Sequence, residues 1–223
     1  MISNTPNHNP NATIQAGDDS LQKHAKHVID TIQQRLSTLE RPIVVAIDGG
    51  SGAGKSSLAA IIQTQLEAAL IPIDDFFSAH IPEQQWYAFS PLERLEYVFD
   101  WTRLRRQVIK PLLRGEIARW QAFDFLAGQH PDGTYPMQNE FKQLEPANVI
   151  LIEGANSASP ALADLVDLAI LVDVPPEVRH ARLAAREDRD FLTRWHALWD
   201  PVEDLYFNQV RPKKSFDIVL PPD

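Results

Sequence analysis

The sequence predicts an α/β fold of three layers, a mostly parallel core sheet of about five strands with helices on both faces. Three observations predict it. Short apolar, β-branched runs at 42–47, 69–73, 148–152, 168–174 and 216–220 alternate with segments of helical periodicity. Between the first run and the first such helix lies Gly49-Gly50-Ser51-Gly52-Ala53-Gly54-Lys55-Ser56, which satisfies G-x-x-x-x-G-K-[ST], the phosphate-binding P-loop. Two further runs end in carboxylates, Asp74-Asp75 and Glu153. In an open α/β sheet ligands sit beyond the carboxyl ends of the strands, so these acids fall on the same edge as the loop.

In the P-loop, spaced glycines let the backbone turn its N–H groups toward phosphate oxygens. Residues 49–56 together with Ser57 are therefore the expected nucleotide-binding set, with Lys55 reaching the β/γ-phosphates and the Ser56 hydroxyl on Mg²⁺. Leu58, Ile61, Ile62, Leu66 and Ala69 recur at helical spacing after it, so a helix starting near Gly54 points its positive end at the phosphates. A dinucleotide site fits worse: glycines 50, 52 and 54 do not give G-x-G-x-x-G, and such a site has no use for Lys55 and Ser56.

Composition bounds the rest. At 223 residues the chain is expected to form one domain, residues 20–223, preceded by a flexible arm over 1–19 that is rich in Asn, Pro, Thr and Asp. The absence of cysteine excludes disulfides, zinc thiolate sites and a cysteine nucleophile, and suits a cytoplasmic location. No run reaches the roughly 18 apolar residues of a membrane span, and no signal-peptide core stands at the N-terminus. A net charge of −9 with no Lys/Arg block argues against a nucleic-acid partner and leaves a small phosphorylated ligand bound locally with a metal. A homo-oligomer is neither predicted nor excluded.

Along the chain, Leu21, Ala25, Val28, Ile29, Ile32, Leu36 and Leu39 mark an amphipathic helix capped near Asp18–Ser20. His24 and His27 lie one turn apart on it at a spacing that suits a metal, but Lys23 and Lys26 flank them and favour a solvated face. At the end of the second strand, an aspartate can take the proton of a hydroxyl as a phosphoryl group arrives; the competing reading of Asp74-Asp75 is a helix cap or turn. Residues 78–99 read as a loop and a short helix whose Trp86, Tyr87 and Phe89 either stack on a flat ligand or fill the core. A helix follows from Asp100 until Pro111 kinks or ends it. Residues 117–125 are strand-like and 127–147 read as a long surface excursion.

Glu153 after four apolar residues has the Walker-B pattern, a carboxylate that orients Mg²⁺ or its waters. Pro175-Pro176 stops the next strand and starts a helix on which Arg179, Arg182 and Arg186 share one face, there either to neutralise phosphates or to pair with nearby acids. Phe191, Leu192, Trp195, Leu198, Trp199, Val202, Leu205 and Tyr206 mark one or two further packed helices.

With these residues in place, the chain from Pro42 to Leu220 resembles the uridine kinase/phosphoribulokinase family, which includes nicotinamide riboside kinases and bacterial pantothenate kinase. Asp74-Asp75-Phe76-Phe77 is similar to the segment that carries the family's catalytic base, and is especially similar to its form in nicotinamide riboside kinases. Phe99-Asp100, Phe123-Asp124-Phe125, the stretch Arg179, Arg182, Arg186, Glu187 and the Lys213-Lys214 pair ahead of Asp217 resemble further family segments. The resemblance implies a P-loop NTPase fold and transfer of the γ-phosphoryl group of ATP, with Mg²⁺, to a hydroxyl of a nucleoside-like or riboside metabolite. It implies Asp74 as base, Lys55, Arg182 and Arg186 as the other catalytic groups, and Ser56 and Glu153 at the metal. It places Asp75, Phe77, Asp100, Phe123 and Asp124 on the acceptor side. The chain departs from uridine kinases where they carry His-Pro-Asp, here Glu96-Tyr97-Val98, and where they carry a histidine after Tyr-Asp-Phe. Two other expectations compete with the kinase: a nucleotide-dependent switch without a small acceptor, and an inactive nucleotide-binding relative.

Overall fold

The computed structural model describes the backbone of residues 10–222 and the side chains of residues 19–222. Its first helix, α1 (Pro10–Leu36), begins well ahead of the cap expected at Asp18–Ser20. Of the arm expected over 1–19, residues 1–9 lie outside the described residues and the rest belongs to this helix. After it come β1 (Ile43–Asp48), the P-loop, α2 (Lys55–Leu66) and β2 (Ala69–Pro72). Asp74 and Asp75 sit on a single 3-10 turn, Ile73–Phe76, rather than at the tip of the strand itself.

The segment between β2 and the next core strand spans residues 73–148. It contains α3 (Glu83–Ala88), α4 (Pro91–Tyr97), α5 (Trp101–Leu104) and α6 (Lys110–Leu113). Ser90 and Glu93 form a reciprocal capping box that starts α4. Pro111 does not end its helix: a π-helical stretch, Arg105–Ile109, precedes it, and Pro111 stands in the first turn of α6.

The surface excursion expected over 127–147 is in part a strand. β3 (Ala118–Phe123) pairs antiparallel with β4 (Met137–Leu144). The sequence of β4 hides it because that strand is mostly exposed and polar, so no apolar alternation marks it. Backbone pairing to β3 and the Arg119 guanidinium over the Phe141 ring, 4.5 Å from its centroid, hold it instead.

Three strands then complete the core sheet: β5 (Val149–Glu153), β6 (Leu168–Val172) and, after α7 (Pro176–Ala184) and α8 (Arg189–Leu205), β7 (Ile218–Leu220). The order is β2-β5-β1-β6-β7, and every pairing is parallel. Alternation along β1 feeds both faces. Ile43, Val45 and Ile47 pack with Ala25, Val28 and Ile32 of α1 and Leu58 and Ile62 of α2. Val44 faces Leu104, Val108, Ile109 and Leu112 on the other side, and Ala46 meets Ala169 and Phe216. Both layers are thus covered, as a parallel sheet requires. Each fully buried Ile or Leu contributes about 1.5–3 kcal/mol relative to exposure. No helix of the described residues is long and apolar enough to cross a membrane.

Candidate active site

The carboxyl ends of β1, β2 and β5 converge, and each supplies one part of the site. The loop after β1 wraps tightly. Gly52 has φ +81°, and a Cβ there would stand 2.8 Å from the Arg179 carbonyl oxygen, so only glycine fits. Lys55 is buried and folds back onto its own loop, donating to the carbonyls of Gly49 at 2.8 Å and Gly50 at 3.0 Å. Ser56 Oγ donates to Glu153 Oε1 at 3.1 Å, joining the first residues of α2 to the end of β5. A hydroxyl and a carboxylate held side by side are hard oxygen donors, which suits Mg²⁺.

Asp74 opens onto the same cleft from the turn after β2. Asp74 is exposed to solvent at the mouth of the cleft, yet the protein packed around its carboxyl pushes the pKa up; the Lys55 charge opposes this and the Asp75 charge adds to it. Glu153 is raised for the same first reason, against Lys55 and the Ser56 hydrogen bond, with Asp74 adding to the shift. Two carboxylates of elevated proton affinity therefore flank one lysine in a concave site.

Behind the loop stands a residue that the motif reading passed over. Asp48, fully buried at the end of β1, accepts from Gly49 N at 2.7 Å and Asn156 N at 2.9 Å on Oδ1. On Oδ2 it accepts from Ala158 N at 2.9 Å and Tyr206 Oη at 2.6 Å. Burial pushes the Asp48 carboxyl up despite these donors, and the same burial, with the Asp48 charge next to it, pushes the Tyr206 phenol well above its ordinary range. Tyr206 therefore remains a donor.

A further side of the cleft is built from α7, α8 and the turn between them. Pro176 starts α7 as expected, and Asp188 caps α8. Arg179 does not face the cleft. It is buried, pairs with Glu203 Oε2 at 2.8 Å and donates to the Ser51 carbonyl at 3.1 Å. Glu203 Oε1 in turn accepts from Ser51 N at 2.9 Å, so the ion pair grips both sides of the Ser51 backbone. Arg182 reaches the carbonyls of Gly52 and Ala53 at 3.3 and 3.4 Å from the outer side. Arg186 is largely exposed beside Glu187, at 2.7 Å, and borders the cleft.

Two cavities lie on either side of the P-loop. The cleft that holds Asp74 and Glu153 has a volume of about 310 Å³, and the outer one, along Gly52–Leu58 and Arg182, about 440 Å³. They meet at Gly52, Lys55, Ser56, Leu183 and Arg186. The far wall of the cleft is aromatic: Phe77, Phe99, Phe125, Phe191, Trp195 and Trp199.

Of the residues placed on the acceptor side, Phe77 lines the cleft. Asp75 turns the other way, to Trp120 Nε1 at 2.8 Å and Lys142 Nζ at 2.8 Å, and fastens the turn after β2 to the β3–β4 hairpin. Asp100 accepts from Arg103 N at 2.9 Å and borders a separate recess of about 230 Å³ beyond Phe77. Phe123 is buried behind Phe77, ring centroids 5.1 Å apart. Asp124 accepts from Leu126 N and Ala127 N at 3.0 and 3.1 Å in the hairpin loop. The sequence reading missed the cleft role of Phe191, Trp195 and Trp199. Their spacing of four was the available signal, but an aromatic stripe on a helix reads first as core.

Comparison with known proteins bears on this arrangement. A family model described as the phosphoribulokinase/uridine kinase family matches residues 44–218. The uridine kinase of Streptococcus uberis is 29% identical over 197 residues, covering 81% of this chain and 87% of that protein. The uridine-cytidine kinase 2-B of Danio rerio is 25% identical over 205 residues, covering 82% and 74%. The solved structure of a possible uridine kinase from Bacillus stearothermophilus has a TM-score of 0.59 at 18% identity, over 91% of this chain and 98% of that chain. At that identity the structural likeness shows the fold, the three-layer parallel α/β sheet that the sequence predicts.

Proposed function

This chain belongs to the phosphoribulokinase/uridine kinase family, and on that footing we propose that it transfers the γ-phosphoryl group of ATP to a hydroxyl of a nucleoside-like or riboside-like small molecule. The observation that carries the proposal is the meeting of two cavities at Lys55, Ser56 and Arg186. The nucleotide occupies the outer cavity along α2, whose N-terminus favours anions. The acceptor occupies the cleft that holds Asp74.

Lys55 exchanges the carbonyls of Gly49 and Gly50 for phosphate oxygens. Ser56 and Glu153 would hold Mg²⁺, which when bound screens the charge of the phosphates. Asp74 takes the acceptor's hydroxyl proton. The acceptor oxygen forms its bond to the γ-phosphorus, the bond from that phosphorus to the bridging oxygen breaks, and the electron pair leaves with ADP. The raised proton affinity of Asp74 suits that role. Arg182 and Arg186 neutralise charge on the transferring group from the side of α7 and the turn that follows it. Catalysis is then chiefly positioning and electrostatics.

The aromatic wall supports an acceptor with a flat ring, held by stacking rather than by histidine contacts. The test is ADP release from Mg-ATP across nucleosides, ribosides, pantothenate and sugars. Stimulation by a ring-bearing riboside is expected. A panel without stimulation, in protein that binds Mg-ATP, would contradict the proposal and favour a nucleotide-dependent switch.

A further inference from the structure

Outside the cleft, among the described residues, one group gathers three metal-capable side chains from two helices: His180 on α7 with His196 and Asp200 on α8. His196 and Asp200 are four apart and share a helix face. His196 Nδ1 lies 3.0 Å from Asp200 Oδ1, and His180 Nε2 lies 3.7 Å from Asp200 Oδ2. The two imidazole rings stand 4.2 Å apart, tilted by 53°, and the three ligand atoms all fall within 4.8 Å of one another. Bonds of 2.0–2.1 Å in a tetrahedral site put donor atoms about 3.3 Å apart; the two separations, each to a different oxygen of Asp200, fall on either side of that value, and one ligand atom from each residue lies within 4.8 Å of the others.

We propose that His180, His196 and Asp200 form a site for a divalent transition-metal ion, with Zn²⁺ the best match, that clasps α7 to α8. Two imidazoles and one carboxylate select Zn²⁺ over Mg²⁺, which takes oxygen ligands, so the site is chemically distinct from the Ser56–Glu153 pair. All three side chains are partly open to solvent, between 27% and 38% exposed, which leaves room for water as a fourth ligand. The position gives the clasp a consequence. His180 follows Arg179, and Asp200 precedes Glu203 by one helical turn; Arg179 and Glu203 are the pair that grips Ser51. An ion here fixes the register of α7 against α8, and with it the helix that carries Arg182 and the one that carries Trp195 and Trp199. The proposal stands apart from the identity of the acceptor.

The experiment uses the full, untagged chain, stripped with a chelator and titrated with Zn²⁺ by calorimetry and by thermal melting without nucleotide. One equivalent is expected to bind and raise the melting temperature, and Mg²⁺ at the same concentration is expected to do neither. His180→Ala, His196→Ala and Asp200→Asn should each weaken binding by at least about tenfold, the lower end of what even an outer-sphere partner contributes. The metal-free Asp200→Asn protein should melt as a folded chain, which separates loss of a ligand from loss of the fold. A His24→Ala/His27→Ala variant should bind as the parent does. No stoichiometric binding, binding that survives loss of both His180 and His196, or binding abolished in the His24/His27 variant would each overturn the proposal.

Discussion

Tyr206 Oη donates to Asp48 Oδ2 across 2.6 Å, tying the end of the C-terminal helical segment to the residue just ahead of the P-loop. Through Asp48 the same contact reaches Gly49 N, Asn156 N and Ala158 N. Tyr206→Phe removes one donor from a buried carboxylate and is expected to cost about 1.5–3 kcal/mol, the range for hydrogen bonds to charged groups. Urea denaturation would show a lower midpoint with an unchanged slope. Mg-ATP affinity should fall as well, because Asp48 fixes the first turn of the loop.

The Arg179–Glu203 pair is buried at the arginine and partly buried at the glutamate, 9% and 15% exposed, and each partner holds Ser51. Arg179→Ala leaves Glu203 unpaired, and breaking such a pair from one side costs about 3–5 kcal/mol. Glu203→Gln keeps an oxygen for Ser51 N and should cost less. Equal losses in chemical denaturation would contradict this division of roles.

Asp74 is expected to trade stability for function. Its pKa is raised in the folded state, so the folded protein holds the proton more tightly than the unfolded chain. Its stability contribution is therefore fully present below the unfolded value, near 3.8, and is lost as pH rises through the folded value. Asp74→Asn escapes that loss. The variant should melt above the parent at pH 8, and the difference should shrink as the pH is lowered toward 4. In the active parent, the acid limb of kcat/KM should fall at a pH above the ordinary aspartate value.

Trp195 stacks near Phe191 and Trp199, with ring centroids 5.8 Å away in both directions, and borders the cleft. If the acceptor ring lies on this wall, Trp195→Ala should raise its KM by about fivefold or more, since a stacked base is worth about 1–3 kcal/mol. The KM for ATP should stay the same. A change in both constants alike would place Trp195 in the fold rather than in acceptor binding.

What the sequence revealed and what it hid follow from range. The P-loop, the helix behind it and Glu153 after its apolar run are local patterns, and the structure brings Lys55, Ser56, Asp74 and Glu153 into one cleft. The contact between Asp48 and Tyr206 spans 158 residues, and that between Ser51 and Glu203 spans 152, so no spacing rule exposes them. Asp75, adjacent to Asp74, points to Trp120 and Lys142, because neighbouring residues on a 3-10 turn face different directions. Strand β4 escaped notice because its polar side chains carry no burial pattern.

The most direct test is a single-turnover comparison of the parent and Asp74→Asn, with Mg-ATP and the stimulating acceptor both saturating and ATP affinity measured alongside. The expected result is unchanged ATP affinity with phosphoryl transfer to the acceptor reduced by at least about 100-fold, the scale of a lost general base. Transfer at the parental rate in Asp74→Asn would contradict the assignment of Asp74 as the group that takes the hydroxyl proton.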